Sequence, residues 1–266
     1  MINWALYLKE MKKSWKILLL FMAILTMYIS MIITMFDPEM ASALKEFEKV
    51  MPNLMQAVGM SGKSDSLINF MSSYLYGMIL LIFPMIYTFI KVNGLVVKYV
   101  ENGSMAFLLS APIKRKTIVI SQLAVLITNI TLLIVYCTIL ELIVAKISFP
   151  GLLDSLELLY LNLGLWLFQL FIASFAFLCS CYFNEVRYSS LIGAGLPILM
   201  YIIQMLANMK GKLTNLKYLT VFSLFQPDKF IEGDLFSIGC IIILIVFIII
   251  FGLLSIFIFS NKDLHV

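Results

Sequence analysis

Six apolar runs divide this chain, and each is long enough to cross a bilayer. They are Lys16–Phe36, Phe70–Ile90, Thr117–Val144, Leu158–Cys181, Ser189–Asn208 and Phe236–Ser260. A helix needs about 20 apolar residues to span the hydrocarbon layer. Inside that layer every backbone N–H and C=O must be satisfied by the protein itself, so the runs read as α-helices. Composition agrees. Of 266 residues 62% are hydrophobic and 13% charged, whereas a soluble domain is nearer one half and one quarter. The expected fold is an all-α integral membrane protein, one transmembrane domain over residues 1–266. No internal repeat and no soluble domain stands out. A charged, Trp-bearing stretch precedes the first run and no small-x-small site follows it, so it does not read as a cleavable signal peptide.

Sorting Lys and Arg by connector gives an orientation. One side holds Lys9, Lys12, Lys13, Lys16, Lys91, Lys98, Lys114, Arg115, Lys116, Arg187 and Lys262, and its net charge is +7 once Glu10, Glu101, Glu185 and Asp263 are counted. The other side carries eight Lys and ten acids, a net −2. The basic side is expected to be cytoplasmic, with both termini inside. The whole-chain charge of +4 is small and calls for no nucleic-acid partner.

Several peripheral segments are amphipathic. Trp4, Leu8, Met11 and Trp15 fall on one helical face, and Lys9, Lys12, Lys13 and Lys16 lie away from it. This pattern predicts an N-terminal helix over 1–15 lying in the headgroup region. A basic anchor and a working elbow beside a partner both fit it. In the loop Asp37–Asn69, the residues Met40, Leu44, Phe47, Met51, Leu54, Met55 and Val58 form a second stripe, interrupted by Pro52. The loop Met209–Leu235 carries Tyr218, Phe222, Phe225 and Phe230. Both loops read as lids on the outer side. Within the spans, Pro84 and the group Gly193, Gly195 and Pro197 are expected to loosen the second and fifth helices.

The chemistry of enzymes is missing. Gly62-Lys63-Ser64 imitates the end of a P-loop, but the first glycine of that motif would be Ala57. Cys137, Cys179, Cys181 and Cys240 all sit in spans and read as small packing residues. His265 is the sole histidine, so neither a paired-histidine metal site nor a Ser-His dyad is available at membrane depth. Glu141 is the one acid within a span. An intramembrane acid is a functional candidate, yet Lys146 lies near in sequence, and an interfacial ion pair is the favoured reading.

The connector between the second and third runs carries a short amphipathic helix. Asn102 to Ser104 can cap it, Met105, Phe107, Leu108 and Leu109 give it an apolar face, and Pro112 ends it before Lys114-Arg115-Lys116. The sequence Glu101, Gly103-Ser104, Phe107-Leu108-Leu109, Ser110-Ala-Pro112, Lys114-Arg115 resembles the cytoplasmic segment in permease subunits of type-two ABC exporters. Leu54 after Pro52 and the Phe-Ser-Leu-Phe-Gln-Pro stretch ending at Pro227 add to the likeness. The resemblance covers the whole chain in layout and implies a function. The permease has no ATPase of its own. A separate ABC ATPase subunit, which holds ATP and Mg, grips a coupling helix at about Asn102–Ala111, with Glu101 at its start.

The resemblance also implies that two permease copies, or one copy and a paralogue, pair in a bacterial plasma membrane. Met- and Ile-rich, low-charge chains of this kind are similar to permeases of Gram-positive bacteria that export amphipathic peptides, the staphylococcal phenol-soluble modulins among them. Trp4, Leu8, Met11 and Trp15 then become a candidate lateral gate for such a peptide. The alternative is a peptide-immunity or sensor protein that binds without transporting. An ion channel is disfavoured, because the spans lack an acid ring or a filter-like loop.

Overall fold

The protein is described by a computed structural model covering residues 2–36, 50–57, 59, 66–110, 113–209 and 212–262. Among these residues the chain is helical, and six helical segments are long and apolar enough to cross a membrane. In order they are Trp4–Thr34, Leu67–Glu101, Arg115–Ser148, Ser155–Tyr182, Val186–Asn208 and Leu235–Asn261, called here the first to sixth spans. This is the layout of a multi-pass membrane protein.

The bundle has two ends. Asn3 donates its N–H to Ser121 Oγ at 2.8 Å, Val186 N–H donates to Glu101 Oε1 at 3.1 Å, and the Arg115 guanidinium donates to the Lys262 carbonyl at 2.8 Å. These contacts collect the Lys- and Arg-rich connectors at one end, the basic end. At the opposite end Phe36 meets Phe149, Ser72 meets Asp228 and Tyr160 meets Ser237. Lys262 closes the basic end by donating to the carbonyls of Cys181 at 3.0 Å and Phe183 at 2.8 Å. Those carbonyls end the fourth span, where the helix dipole favours a cation. Burial pushes the Lys262 ammonium down to about 8.

The first span is one helix of 31 residues from Trp4 to Thr34, capped by the Asn3 side chain, which accepts from Leu6 N–H. At 1.5 Å per residue it is about 46 Å long, more than a bilayer core needs. No break separates residues 4–15 from the rest of this helix. Its buried face is Leu6, Glu10, Ser14 and Leu18, spaced by four on one side of the helix.

The fourth span sits at the centre, packed on the second, third, fifth and sixth. In its most apolar stretch 78% of the residues are buried, against 11% for the sixth span. So the sixth span is a peripheral helix that touches the bundle along a narrow seam. Packing between apolar helices in lipid gains no hydrophobic term and depends on close fit and polar contacts. Both are visible. Tyr7 OH donates to Thr128, Trp166 Nε1 donates to Thr131 at 3.0 Å, and Thr26 and Tyr136 share a hydrogen bond.

Two spans are irregular. The second contains a π turn at Ser72–Tyr76, then a regular helix Ile79–Leu95, then a break at Val96 before Val97–Glu101. Pro84 does not end the helix that contains it. The fifth is divided at Ala194 into Val186–Gly193 and Gly195–Asn208, as Gly193, Gly195 and Pro197 led one to expect. The four cysteines are free and buried in the helices, as read from their positions.

The segment after the fifth span folds over the opposite end as two short 3₁₀ turns and the helix Pro227–Ile231. Phe222, Phe225 and Phe230 are buried there against Phe168 and against one another. Gly164 makes this possible. A Cβ on it would clash with the Phe230 ring at Cε1. Of the first lid, Met40, Leu44, Phe47 and Val58 lie outside the described residues, as do Gly62-Lys63-Ser64 and His265; Pro52–Ala57 is helical.

Gly164→Ala is expected to displace the Phe230 ring and lower stability by about 1–3 kcal/mol. The double variant Gly164→Ala, Phe230→Leu should regain most of the loss. Thermal unfolding of the detergent-solubilised protein checks both; an unchanged midpoint in Gly164→Ala would refute the contact.

Candidate functional site

Two regions carry the polar groups of this molecule, one at each end, and a polar column joins them along the fourth span. The column starts from sequence. Asn162, Gln169 and Ser180 are 7 and 11 residues apart, which places them on one helical face. That face meets the second span, whose irregularities leave backbone groups without helical partners. Pro84 has no N–H to offer the carbonyl four residues earlier, that of Leu80. Gln169 Nε2 donates to the carbonyls of Leu80 at 3.2 Å and Leu81 at 2.9 Å. At the Val96 break, Ser180 Oγ accepts from Val97 N–H at 3.1 Å and donates to the Val92 carbonyl at 3.3 Å. One side chain thus bridges both halves of the broken helix.

At the π turn the third member, Asn162, meets Glu141. Tyr76 OH and Asn162 Nδ2 both donate to Glu141 Oε2 at 2.8 Å. Glu141 and Tyr76 are fully buried. The expected ion pair with Lys146 does not form; the ion pair found among the described residues is Glu10–Lys13, at 3.8 Å. Glu141 turns into the bundle because its helix position faces the fourth and second spans, where two neutral donors await it. Its second oxygen, Oε1, has no partner among the described residues, nor does Asn162 Oδ1.

Tyr76 also belongs to the floor of a cavity at the opposite end. The cavity has a volume of about 500 Å³. Leu81, Met205, Phe222 and Phe225 supply its apolar lining, Gln56 and Gln204 supply amides, and Asp228 and Glu232 are exposed carboxylates of the lining. Asp228 is fixed by Ser72 Oγ, which donates to its Oδ1 at 3.0 Å. The pocket is large enough for a small amphiphile or a few side chains of a peptide.

At the basic end the segment read as a coupling helix is present as Met105–Ser110. Gly103 precedes it in a left-handed conformation, φ 67°. The apolar face is not the one expected. Met105 is buried in the protein's own core and Leu108 packs against it, while Phe107 is 81% exposed. A helix repeats every 3.6 residues, so Met105 and Phe107 cannot share a face. Ser104 Oγ donates to the Tyr99 carbonyl at 3.4 Å. Glu101, exposed, accepts from Val186 N–H at the start of the fifth span. Pro112 and the side chain of Leu109 lie outside the described residues.

The N-terminal residues divide similarly. Trp4, Leu8 and Trp15 are exposed, Trp4 stacks on Tyr7, and Met11 is half-buried against the core. They look outward from the first span, away from the polar column. Behind them lies a cluster that sequence reasoning missed. Glu10 is buried and accepts a hydrogen bond from Tyr99 OH; Lys13 is beside both, 5.0 Å from the Tyr99 ring centre. A buried acid four residues from a buried serine, Ser14, was the signal, obscured by the lysines around it. Asn162 and Gln169, polar at heptad spacing within an apolar run, were the corresponding signal for the column. No protein-family profile, curated protein or solved structure matches this chain.

Glu141→Gln is expected to hold its fold, because an amide oxygen can accept from both Tyr76 and Asn162. Glu141→Leu leaves the Tyr76 hydroxyl unpaired and Asn162 Nδ2 with only its bond to the Leu158 carbonyl at 3.3 Å, and should cost about 1–3 kcal/mol. Gln169→Leu should cost a similar amount by leaving the Leu80 carbonyl, which Pro84 cannot serve, without a partner. Thermal unfolding in detergent measures all three. Equal loss in Glu141→Gln and Glu141→Leu would mean that the charge, not the hydrogen bonding, holds the site.

Proposed function

We propose that this chain is the permease subunit of an ATP-driven exporter that moves amphipathic or hydrophobic peptides out of a bacterial cell. ATP and Mg belong to a separate ABC ATPase subunit. The basic end faces the cytoplasm, and two copies, or a copy and a paralogue, make the working unit. The observation that supports this is Phe107, a ring 81% exposed on a short helix whose root, Met105, is buried. Exposed aromatic anchors on a rigid base are what a partner's pocket recognises.

The base is connected in a way that suits coupling. Ser104 bonds to Tyr99, Tyr99 to Glu10 of the first span, and Glu101 to the first residue of the fifth. A force on the helix therefore reaches three spans. Trp4, Leu8, Met11 and Trp15 lie where a peptide in the inner leaflet would first meet the protein, and serve as its lateral gate.

One observation favours the second reading, a peptide-immunity or sensor protein. The 500 Å³ cavity lies at the end away from Phe107, with Tyr76 in its floor. Binding at that cavity alone would need no ATPase.

The two readings separate on one variant. Tagged protein purified from its native membranes is expected to bring with it Mg-dependent ATP hydrolysis, and Phe107→Asp should reduce the co-purified activity at least about tenfold, as loss of a hot-spot residue does. Equal hydrolysis with wild type and Phe107→Asp refutes the coupling role; none with either supports the binding-only reading.

A further inference from the structure

The cavity at the end opposite the basic face has an uneven inventory of hydrogen-bonding groups. Three of its amides each make one hydrogen bond within the protein: Gln204 Nε2 donates to Asn208 Oδ1 at 2.9 Å, Asn208 Nδ2 to the Ala57 carbonyl at 3.4 Å, and Gln226 Nε2 to the Ser223 carbonyl at 3.0 Å. Its two lysines are drawn onto rings. Lys229 Nζ is 4.0 Å from the centre of Phe236, and Lys217 Nζ is 5.1 Å from that of Tyr218.

Gln204 Oε1 accepts from Thr220 Oγ1, but other polar atoms of the lining are free. Gln56 Oε1 and the Tyr201 hydroxyl, which can accept as well as donate, are buried with no partner among the described residues, and Tyr201 is 8% exposed. Buried polar groups are nearly always satisfied, so an unpartnered one on a cavity wall points to a group that arrives from outside. Asp228 and Glu232 are exposed carboxylates of the lining, with the anchored Asp228 held by Ser72. Phe222, Phe225, Leu81 and Met205 supply the apolar lining.

From this we infer that the cavity is a binding site for an amphiphile with a primary ammonium head, such as the amino terminus or a lysine of an amphipathic peptide. The head donates to Asp228, Glu232 and Gln56, and the apolar part lies along the phenylalanine wall. Three N–H donors on one compact cation match a site rich in free acceptors. An anionic amphiphile meets two carboxylates and would have to draw Lys217 and Lys229 off their rings. As the peptide's site, the cavity rests on the exporter or sensor reading, but its chemistry is testable on this chain alone.

The test uses the full chain in nanodiscs of neutral lipid, without ATPase. It is photolabelled with a diazirine-bearing dodecylamine, with the matching dodecanoate, and with the matching trimethylammonium. Adducts are mapped by mass spectrometry. The amine is expected to label Met205, Phe222 or Phe225 at least about fivefold more than the carboxylate does, with the trimethylammonium between them because it attracts but donates nothing. Asp228→Asn with Glu232→Gln should abolish the preference while leaving the Ser72 contact an acceptor, and Tyr201→Phe should weaken labelling without changing thermal stability. Equal labelling by amine and carboxylate, or amine adducts confined to the outer face of the sixth span, overturns the proposal. Those outcomes leave the Phe107 test of the exporter reading untouched, and failure of that test leaves this site standing.

Discussion

A broken helix in a bilayer must find partners for its freed backbone groups, and here one neighbouring helix supplies them. The second span is interrupted by a π turn, a proline and a break at Val96. Water is not available to repair such defects at membrane depth, where each unsatisfied group costs several kcal/mol. Gln169 and Ser180 do the repair, and Asn162 extends the same face to Glu141. The position of the fourth span at the centre of the bundle follows from this duty. It is fixed to the second span by hydrogen bonds that apolar packing in lipid could not replace. The irregular second span, in turn, can carry Tyr76 to the cavity floor and Glu101 to the basic end on one continuous segment.

Much of the architecture was legible in the sequence, and the reasons are physical. Apolar runs of bilayer length admit few structures, so the third to sixth spans were placed within a few residues of Arg115–Ser148, Ser155–Tyr182, Val186–Asn208 and Leu235–Asn261. The first and second were read short. Hydropathy falls at Glu10, Lys13, Lys91 and Lys98, yet the backbone continues as helix through them, because a helix satisfies its own hydrogen bonds whether its side chains are polar or not. The N-terminal stripe falls on one face of the helix, but the cluster behind it was not legible: the partner of Glu10 is Tyr99, 89 residues away, and no local period encodes it. Glu141 failed for the same reason. Lys146 was near in sequence, while Tyr76 and Asn162 were near in space.

The two ends differ in how their polar groups are arranged. At the basic end charges are mostly exposed and the ordered contacts run between connectors, through Glu101 with Val186 and Arg115 with Lys262. At the other end the ordered contacts surround a cavity. On the basic-end side Asn93 donates to Ser190 at 2.9 Å and accepts from Ser189 at 3.2 Å, tying the second span to the first half of the divided fifth. The second half, Gly195–Asn208, contributes Tyr201 and Gln204 to the cavity. The division at Ala194 thus separates the part of the fifth span that is bonded to the basic end from the part that lines the cavity.

The sixth span is bare on most of its circumference, with Ile242, Ile243, Val246, Ile249, Ile250, Leu253 and Phe257 exposed. Only a few positions, Ser237, Cys240, Leu244, Ser255 and Phe259, are enclosed by neighbours. Selection on such a helix acts on two quantities of different grain. Along the enclosed seam it acts on shape, residue by residue. Over the rest it acts on the total free energy of transfer into lipid, to which isoleucine, leucine, valine and phenylalanine contribute nearly alike. The exposed positions are therefore free to exchange these residues among themselves, and over time the helix should lose its sequence identity while keeping its length and its seam.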